Sequence, residues 1–254
     1  MRARQGNWAG LAAAGLAALV AGLALVLMGG EAEAEPCKRG LETSRTVSLT
    51  PGQRAGAPAR GPSLLADKEV VLSFDDGPNP WTTPRVLEIL AENCIKATFF
   101  TIGSAAADHQ ALVEREIAEG HAVGGHTWSH TKLPTLAFDD ALKQIEDGFA
   151  PLEAAGIATQ LFRYPNLAET PQLNAWLKQN GVSVIGVDIE PMDWAGDAPE
   201  VTLARFKAEL DAKGRGIVLL HDAQPNTVKL LPDLLELLRS GGYRIVHLRA
   251  ANGG

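Results

Sequence analysis

From Asp67 onward the chain alternates short runs rich in β-branched and aromatic residues with longer amphipathic stretches. That alternation restricts it to very few architectures. Strands are expected over Val70–Phe74, Ala97–Ile102, His121–Gly124, Thr159–Phe162, Val182–Val187, Gly216–Leu220 and Tyr243–Leu248. Helices are expected over Pro84–Asn93, Ala105–Glu119, Asp139–Ala155, Pro171–Asn180, Glu200–Lys213 and Val228–Arg239. Repeated strand–helix units build a parallel sheet covered by helices, and seven such strands close most naturally into an α/β barrel. In that architecture reactive groups gather at the C-terminal ends of the strands.

The polar clusters of this chain fall at those ends. Asp75-Asp76 ends the first strand, and His126 and His130 follow the third. Arg163, Asp188 and His221-Asp222 end the fourth, fifth and sixth. The four-residue spacing of His126-Thr-Trp-Ser-His130 puts both imidazoles on one face of a helix or tight helical turn, where they can share a metal. Two histidines and one carboxylate leave a coordination position for water, as catalytic rather than structural metal sites do. The second carboxylate of the pair is then free to act on that water. Each feature alone has a plainer reading: Asp-Asp before Gly-Pro is an ordinary turn, and an isolated His-x-x-x-His is a polar helix face. Their joint placement favours a metal-dependent hydrolase. His121 reads as structural, and His109 and His247 as surface and strand-end residues. Asp222 either acts directly or caps the next helix, and Trp81 either lines the cleft or packs on a loop.

Composition narrows the partners. A net charge of −7 and the absence of a basic patch argue against nucleic acid. Cys37 and Cys94 have no zinc-site spacing, so any metal is held by nitrogen and oxygen. Arg2 and Arg4 precede a nearly uncharged apolar run, Trp8 to Gly30, long enough to span a bilayer. It is read as a signal anchor or, with Ala32-Glu33-Ala34 as a cleavage site, as a signal peptide. Either reading exports residues 65–254, membrane-anchored or secreted. Residues 31–64, rich in Gly, Pro, Ala, Arg and Ser, are expected to be a flexible linker. Export permits a Cys37–Cys94 disulfide, with a buried free thiol at Cys94 as the alternative.

Ser-Phe-Asp75-Asp76-Gly-Pro, His126-Thr-Trp-Ser-His130, Arg163-Tyr-Pro165, Asp193-Trp194 and Leu219-Leu220-His221-Asp222 occur in that order. Together they resemble the five motifs of the NodB-homology polysaccharide deacetylases, carbohydrate esterases that remove acetyl groups from sugar amides. The resemblance spans roughly residues 67–249. It implies a deformed (β/α)7 barrel, one divalent metal (zinc, or alternatively cobalt), and an N-acetylated glycan as substrate. Asp76, His126 and His130 match the metal ligands, Asp75 the general base and His221 the general acid. Arg163 matches the arginine that orients the base, and Asp193 the carboxylate that tunes the acid. Pro165 and Asn166 belong to the substrate-binding third motif, and Trp194 and Leu219 match walls of the pocket for the acetyl methyl. The implied roles agree with elementary chemistry: a metal polarises the poor amide electrophile and acidifies water, while a carboxylate and an imidazole move the protons.

The chain departs from the family pattern at three places. Asn166 stands where a tyrosine is usual, Gly125 replaces an asparagine before the first metal histidine, and the fourth motif, Asp188-Ile-Glu-Pro-Met-Asp193-Trp194, is two residues longer. A backbone donor at position 166 survives the first change, but the wall of the sugar cleft does not. Two other readings therefore stand beside deacetylation of a glycan: an O-acetyl esterase or amidase on a non-sugar substrate, and a non-catalytic, metal-stabilised glycan-binding module. A glycosidase using Asp75 and Asp76 fits poorly, because adjacent strand residues do not flank a glycosidic bond.

Overall fold

The structure is a computed structural model and describes residues 41–57 and 64–251. The expected membrane or signal segment and Cys37 lie outside them. Among the described residues no helix is long and apolar enough to cross a membrane, and Cys94 is held in a disulfide.

The elements run β1 (Thr43–Leu49), β2 (Glu69–Asp75), α1 (Thr83–Glu92), β3 (Thr98–Thr101), α2 (Gly103–Asp108), α3 (Gln110–Ala118) and β4 (Ala122–Gly125). Then follow α4 (Phe138–Ala154), β5 (Leu161–Phe162), α5 (Pro171–Gln179), β6 (Ser183–Val184), α6 (Pro199–Lys213), β7 (Gly216–His221), α7 (Pro225–Ser240) and β8 (Arg244–Ala250). β2 pairs in parallel with β3, β3 with β4, β4 with β5, and β5 with β6. The ring returns to β2 through β7, which meets the chain after β6 at an Ile189–Val218 bridge. This is the nearly closed, helix-wrapped parallel barrel expected from the strand–helix alternation.

Strand alternation decides what faces the barrel axis. On β2, Val70, Leu72 and Phe74 pack outward with Leu87 and Leu90 of α1 and Leu234 and Leu238 of α7. Val71 points the other way and joins Leu161, Ile185 and Ile217 inside. With a period of two, Ser73 and Asp75 share the inward face of Val71. On β7, Val218 and Leu220 join the outer layer and Ile217 the inner one, which puts Leu219 and His221 on the inner side too. Val246, Leu248 and Ala250 of β8 and Leu49 of β1 complete that inner cluster. β8 pairs with the first two residues of β2 and Thr98 Oγ1 donates to Leu248 O, so this filling lies at the N-terminal end, away from Asp75.

Several boundaries differ from the sequence expectation. β1 falls inside the expected linker and pairs in parallel with β8. Its sequence, TSRTVSL, buries almost nothing before Leu49, so main-chain pairing rather than hydrophobic patterning holds it. The helix expected over 105–119 breaks at His109, whose backbone leaves the helical region (φ −132°, ψ 43°). Its two parts pack on different elements, α2 on α4 and α3 on β4. The last helix begins at Pro225 rather than Val228, and Asp222 does not cap it.

One buried group is electrostatically costly. Glu116 on α3 is fully buried and neither carboxyl oxygen has a hydrogen-bond partner. Burial pushes its pKa well above the usual carboxylate range, and the charge of Asp222 adds to the shift. A carboxyl raised in the folded state costs stability once the unfolded chain begins to ionise it. The loss therefore sets in above about pH 4.3 and deepens as pH rises. Glu116→Gln removes that proton linkage. Thermal melts between pH 5 and 8 should fall less steeply with pH in the variant than in the parent.

Candidate active site

The site is assembled on the ends of β2, β4, β5 and β7 and on the loop after β6. Asp75 is the last residue of β2, and Asp76 turns the chain with a left-handed backbone (φ 74°). The next turn is fixed from below. Asp222 Oδ2 accepts a hydrogen bond from Thr83 Oγ1, and Asn79 N donates to Thr83 Oγ1 at 2.8 Å. A Cβ at position 77 would lie 2.1 Å from Asp222 Oδ2, so only glycine lets the aspartate tuck under this turn. Asp222, fully buried, is thus a brace for the Asp75-Asp76-Gly-Pro segment rather than a helix cap. Burial raises its pKa to about 7.

His126-Thr-Trp-Ser-His130 is not helical. Thr127 and His130 both have positive φ (67° and 55°), and the run lies as an irregular turn on α4. Trp128 N donates to Gln144 O at 2.8 Å, and Ser129 N to Gln144 Oε1 at 3.2 Å. Gly148 permits this seat, since a Cβ there would come within 2.7 Å of the Thr127 backbone. The predicted convergence survives by another route: two strained residues, rather than one helical face, bring the imidazoles together.

His126 Nε2 lies 3.5 Å from Asp76 Oδ1, and His130 Nε2 lies 3.3 Å from the same oxygen. One ligand atom from each residue falls within 4.8 Å of the others. Tetrahedral coordination with metal–ligand bonds of 2.0–2.1 Å separates ligand atoms by about 3.3 Å, so these spacings fit a metal such as zinc. Asp76 Oδ1 is buried without a hydrogen-bond partner, a cost that a cation would remove. His126 Nδ1 donates to Arg163 O at 2.8 Å, which leaves the Nε2 lone pair free to bind a metal. Burial lowers the His126 pKa against the opposing pull of Asp75 and Asp76, favouring the neutral ligand form.

Behind Asp75 lies Arg163, wholly buried in the barrel. Its Nη1 donates to Asp75 Oδ1 at 2.7 Å and to Ser73 Oγ at 2.9 Å, and its Nε to Ile185 O at 3.2 Å. The guanidinium stacks on the Phe100 ring, 4.2 Å from the centroid. Burial lowers its pKa, and Asp75 opposes that shift. Asp75 and His221 are register partners across β2 and β7. His221 Nδ1 contacts Asp193 Oδ1 at 2.8 Å, and His221 N donates to Asp193 Oδ2 at 2.7 Å. Thr227 Oγ1, at the start of α7, also donates to Asp193 Oδ2. Burial alone would lower the His221 pKa, but the hydrogen bond and charge of Asp193, together with the charges of Asp75 and Asp76, outweigh it and raise the value to about 9.

These groups open into a cavity of about 420 Å³ lined by Asp75, Asp76, His126, His130 and His221 together with Asn166, Trp194 and Leu219. Arg163 and Asp193 stand one layer back, each bonded to a group that lines it. Pro165 does not reach the wall. It is buried beneath the turn that carries Asn166, which has a left-handed backbone (φ 55°). Asp188 is also structural: its oxygens accept from Ala57 N and Ile217 N, at 3.1 and 2.9 Å. Ser73, Thr83 and Thr227 escaped the sequence reading. The period of two from Asp75 pointed to Ser73, whereas Thr83 and Thr227 are found only through tertiary contacts. Tyr164 and Leu167 complete the wall with Glu190.

A histidine pKa raised by folding adds stability below the unfolded value of about 6.5, and that contribution disappears as pH rises through about 9. In the metal-free protein, NMR of the His221 imidazole should show a midpoint near 9. Asp193→Asn should move it down by more than one unit, and Thr227→Val should shift it less. An unchanged midpoint in Asp193→Asn would contradict the electrostatic coupling.

Known proteins resemble this chain in sequence and fold. The family model described as polysaccharide deacetylase matches residues 65–185. The chain is 33% identical over 186 residues to the peptidoglycan-N-acetylglucosamine deacetylase of Listeria monocytogenes, covering 73% of this chain and 39% of that protein. It thus spans about two-fifths of that relative's length. With the chitin deacetylase of Colletotrichum lindemuthianum it shares 32% identity over 224 residues, 79% of this chain and 87% of the other. The structure matches a Bdellovibrio bacteriovorus peptidoglycan deacetylase with a TM-score of 0.75 and 32% identity, over 85% of this chain and 61% of that one. The chain belongs to the polysaccharide deacetylase family, and its barrel is of the NodB type.

Proposed function

We propose that this protein hydrolyses N-acetyl groups on an extracytoplasmic glycan. The observation that carries the reading is the pairing of Asp75 and His221 on adjacent strands, both opening into the cavity that holds the Asp76–His126–His130 cluster. Asp76, His126 and His130 would hold the metal, which when bound polarises the acyl carbonyl and acidifies a water. Asp75, aimed by Arg163, accepts the water proton. His221, protonated and hydrogen-bonded to Asp193, donates a proton to the departing sugar nitrogen. Trp194 and Leu219 offer an apolar wall for the acetyl methyl, and the backbone N–H of Asn166 supplies a donor for the carbonyl oxygen as charge builds on it.

The same constellation favours an amide over an ester. An amine leaves poorly unless protonated, and the Asp193-supported imidazolium supplies that proton. Export is supported by the charged-then-apolar N-terminus and by the disulfide at Cys94, which suits an oxidising compartment.

The test is a paired variant assay on a chitin oligomer and on peptidoglycan. Asp75→Asn should lower acetate release by about 10²–10⁴-fold, the usual worth of a general base, while one metal per chain stays bound. His126→Ala should lose both metal and acetate release. Near-parent turnover in Asp75→Asn would sink the assignment of the base.

A further inference from the structure

The donor assigned above to the acyl oxygen is a backbone N–H, so its aim is set by the turn that carries it. That turn is strained. Asn166 and Leu167 are consecutive non-glycine residues with left-handed backbone (φ 55° and 54°), a conformation that persists only where neighbours enforce it. Inside the turn, Leu167 N donates to Tyr164 O at 3.0 Å and Ala168 N to Pro165 O at 3.1 Å. Asn166 and Leu167 are themselves exposed, so packing of their own side chains does little to hold them. The residues on either side must do it.

Those flanks are joined through one amide. Tyr164, buried before the turn, donates its hydroxyl to Asn174 Oδ1 at 3.0 Å. Asn174, on α5, donates from Nδ2 to Oε2 of Glu169, just past the turn, at 2.9 Å. Burial and the charge of Glu169 raise the Tyr164 pKa against the opposing charge of Arg54, which keeps the phenol a donor. Glu169 is held in turn by Arg54, whose Nη2 donates to Oε1 at 2.6 Å and to Oε2 at 2.7 Å. Arg54 stands ahead of residues 65–185, the stretch that matches the family model. Its segment is laid along β6: Gly52 N donates to Gly181 O, Ala55 N to Val184 O and Gly186 N to Ala55 O, at 2.9, 3.3 and 2.7 Å. Only glycine fits at position 186, because a Cβ would fall 1.9 Å from Ala57 O. The strap is therefore seated by its main chain, independently of the Arg54 side chain. A partly exposed ion pair adds little to global stability. The contact acts on the position of Glu169 rather than on the fold.

We propose that Arg54 is a positioning residue for the hydrolytic site. Through Glu169 and Asn174 it ties together both ends of the strained turn, and so holds the Asn166 N–H at the cavity wall. This rests on the deacetylase reading above. Negative charge builds on the acyl oxygen as water attacks, so a well-placed donor stabilises the transition state more than the bound substrate. Loosening the turn therefore lowers kcat and leaves KM nearly alone.

The full-length, metal-loaded protein would be assayed for kcat and KM of acetate release from a chitin oligomer, with metal content and melting temperature measured alongside. Removing an oxyanion donor outright costs about 10²–10³ in kcat, so displacing one should cost less, about five- to tenfold. That loss is expected in Arg54→Met and in Glu169→Gln, with KM changed by less than about twofold and the metal retained. The double variant should be no worse than the poorer single one, because both break the same chain of contacts. Arg54→Lys keeps a cation opposite Glu169 and should restore most of kcat. Parental kcat in Arg54→Met, a loss expressed in KM, or additive losses in the double variant would overturn the positioning role and leave the deacetylase reading intact. A kcat loss that comes with lost metal or a collapsed melting temperature would mark a merely structural role and overturn it too. A parent that releases no acetate would overturn both.

Discussion

The buried pair of Arg163 and Asp75 organises the rest of the site. A guanidinium without solvent exposure inside a barrel is tolerable only if its charge and its donors are met. Here Asp75 meets the charge, and Ser73 Oγ, Ile185 O, Gly186 O and the face of Phe100 meet the remaining surface. Loss of either partner would leave a buried uncompensated charge, typically a cost of about 3–5 kcal/mol. The pair therefore fixes the rotamer of Asp75 at the barrel mouth. The backbone carbonyl of the same arginine accepts from His126 Nδ1, which orients the imidazole proposed to hold the metal. One residue thus aims both the proposed base and a proposed ligand.

A second unit mirrors the first across the cavity. The Asp193 carboxylate takes three hydrogen bonds, from the His221 ring, the His221 amide and the Thr227 hydroxyl. It is buried, and with the charges of Asp75 and Asp76 it raises the pKa of a histidine that burial alone would lower. The proposed acid and base, His221 and Asp75, are held by adjacent strands in register, so their separation is set by sheet geometry rather than by a flexible loop. The proposed metal cluster is the opposite case: Asp76, Thr127 and His130 all carry left-handed backbone, local strain that packing against α2, α4 and Asp222 sustains.

Much of this was legible in the amino-acid sequence because it rests on local periodicity. The strand–helix rhythm gave the barrel, and the position of polar residues at strand ends gave Asp75, Asp76, Arg163 and His221. What escaped depends on pairing across the fold. β1 lacks hydrophobic alternation and exists because β8 offers it a main-chain partner. The histidine pair was read at helical spacing, but a seat on Gln144 and Gly148 replaces the helix. For Asp222 the sequence leaves open a direct role or a cap for the helix that follows it. Its real partner, Thr83, lies 139 residues earlier in the chain. The motif makes Pro165 a substrate-binding candidate, yet it is buried in its turn, and its neighbours Tyr164 and Asn166 line the cavity. Glu116, a fully buried acid without a hydrogen-bond partner, has no signature in the sequence at all.

The central claim is that a hydrolytic centre is completed by a metal on Asp76, His126 and His130. The most direct measurement is acetate release from an N-acetylated glycan by the chelator-treated protein, before and after one equivalent of zinc or cobalt is returned. The account predicts negligible release without metal and recovery that saturates at one equivalent per chain. Full activity in a protein shown to be free of metal would contradict it.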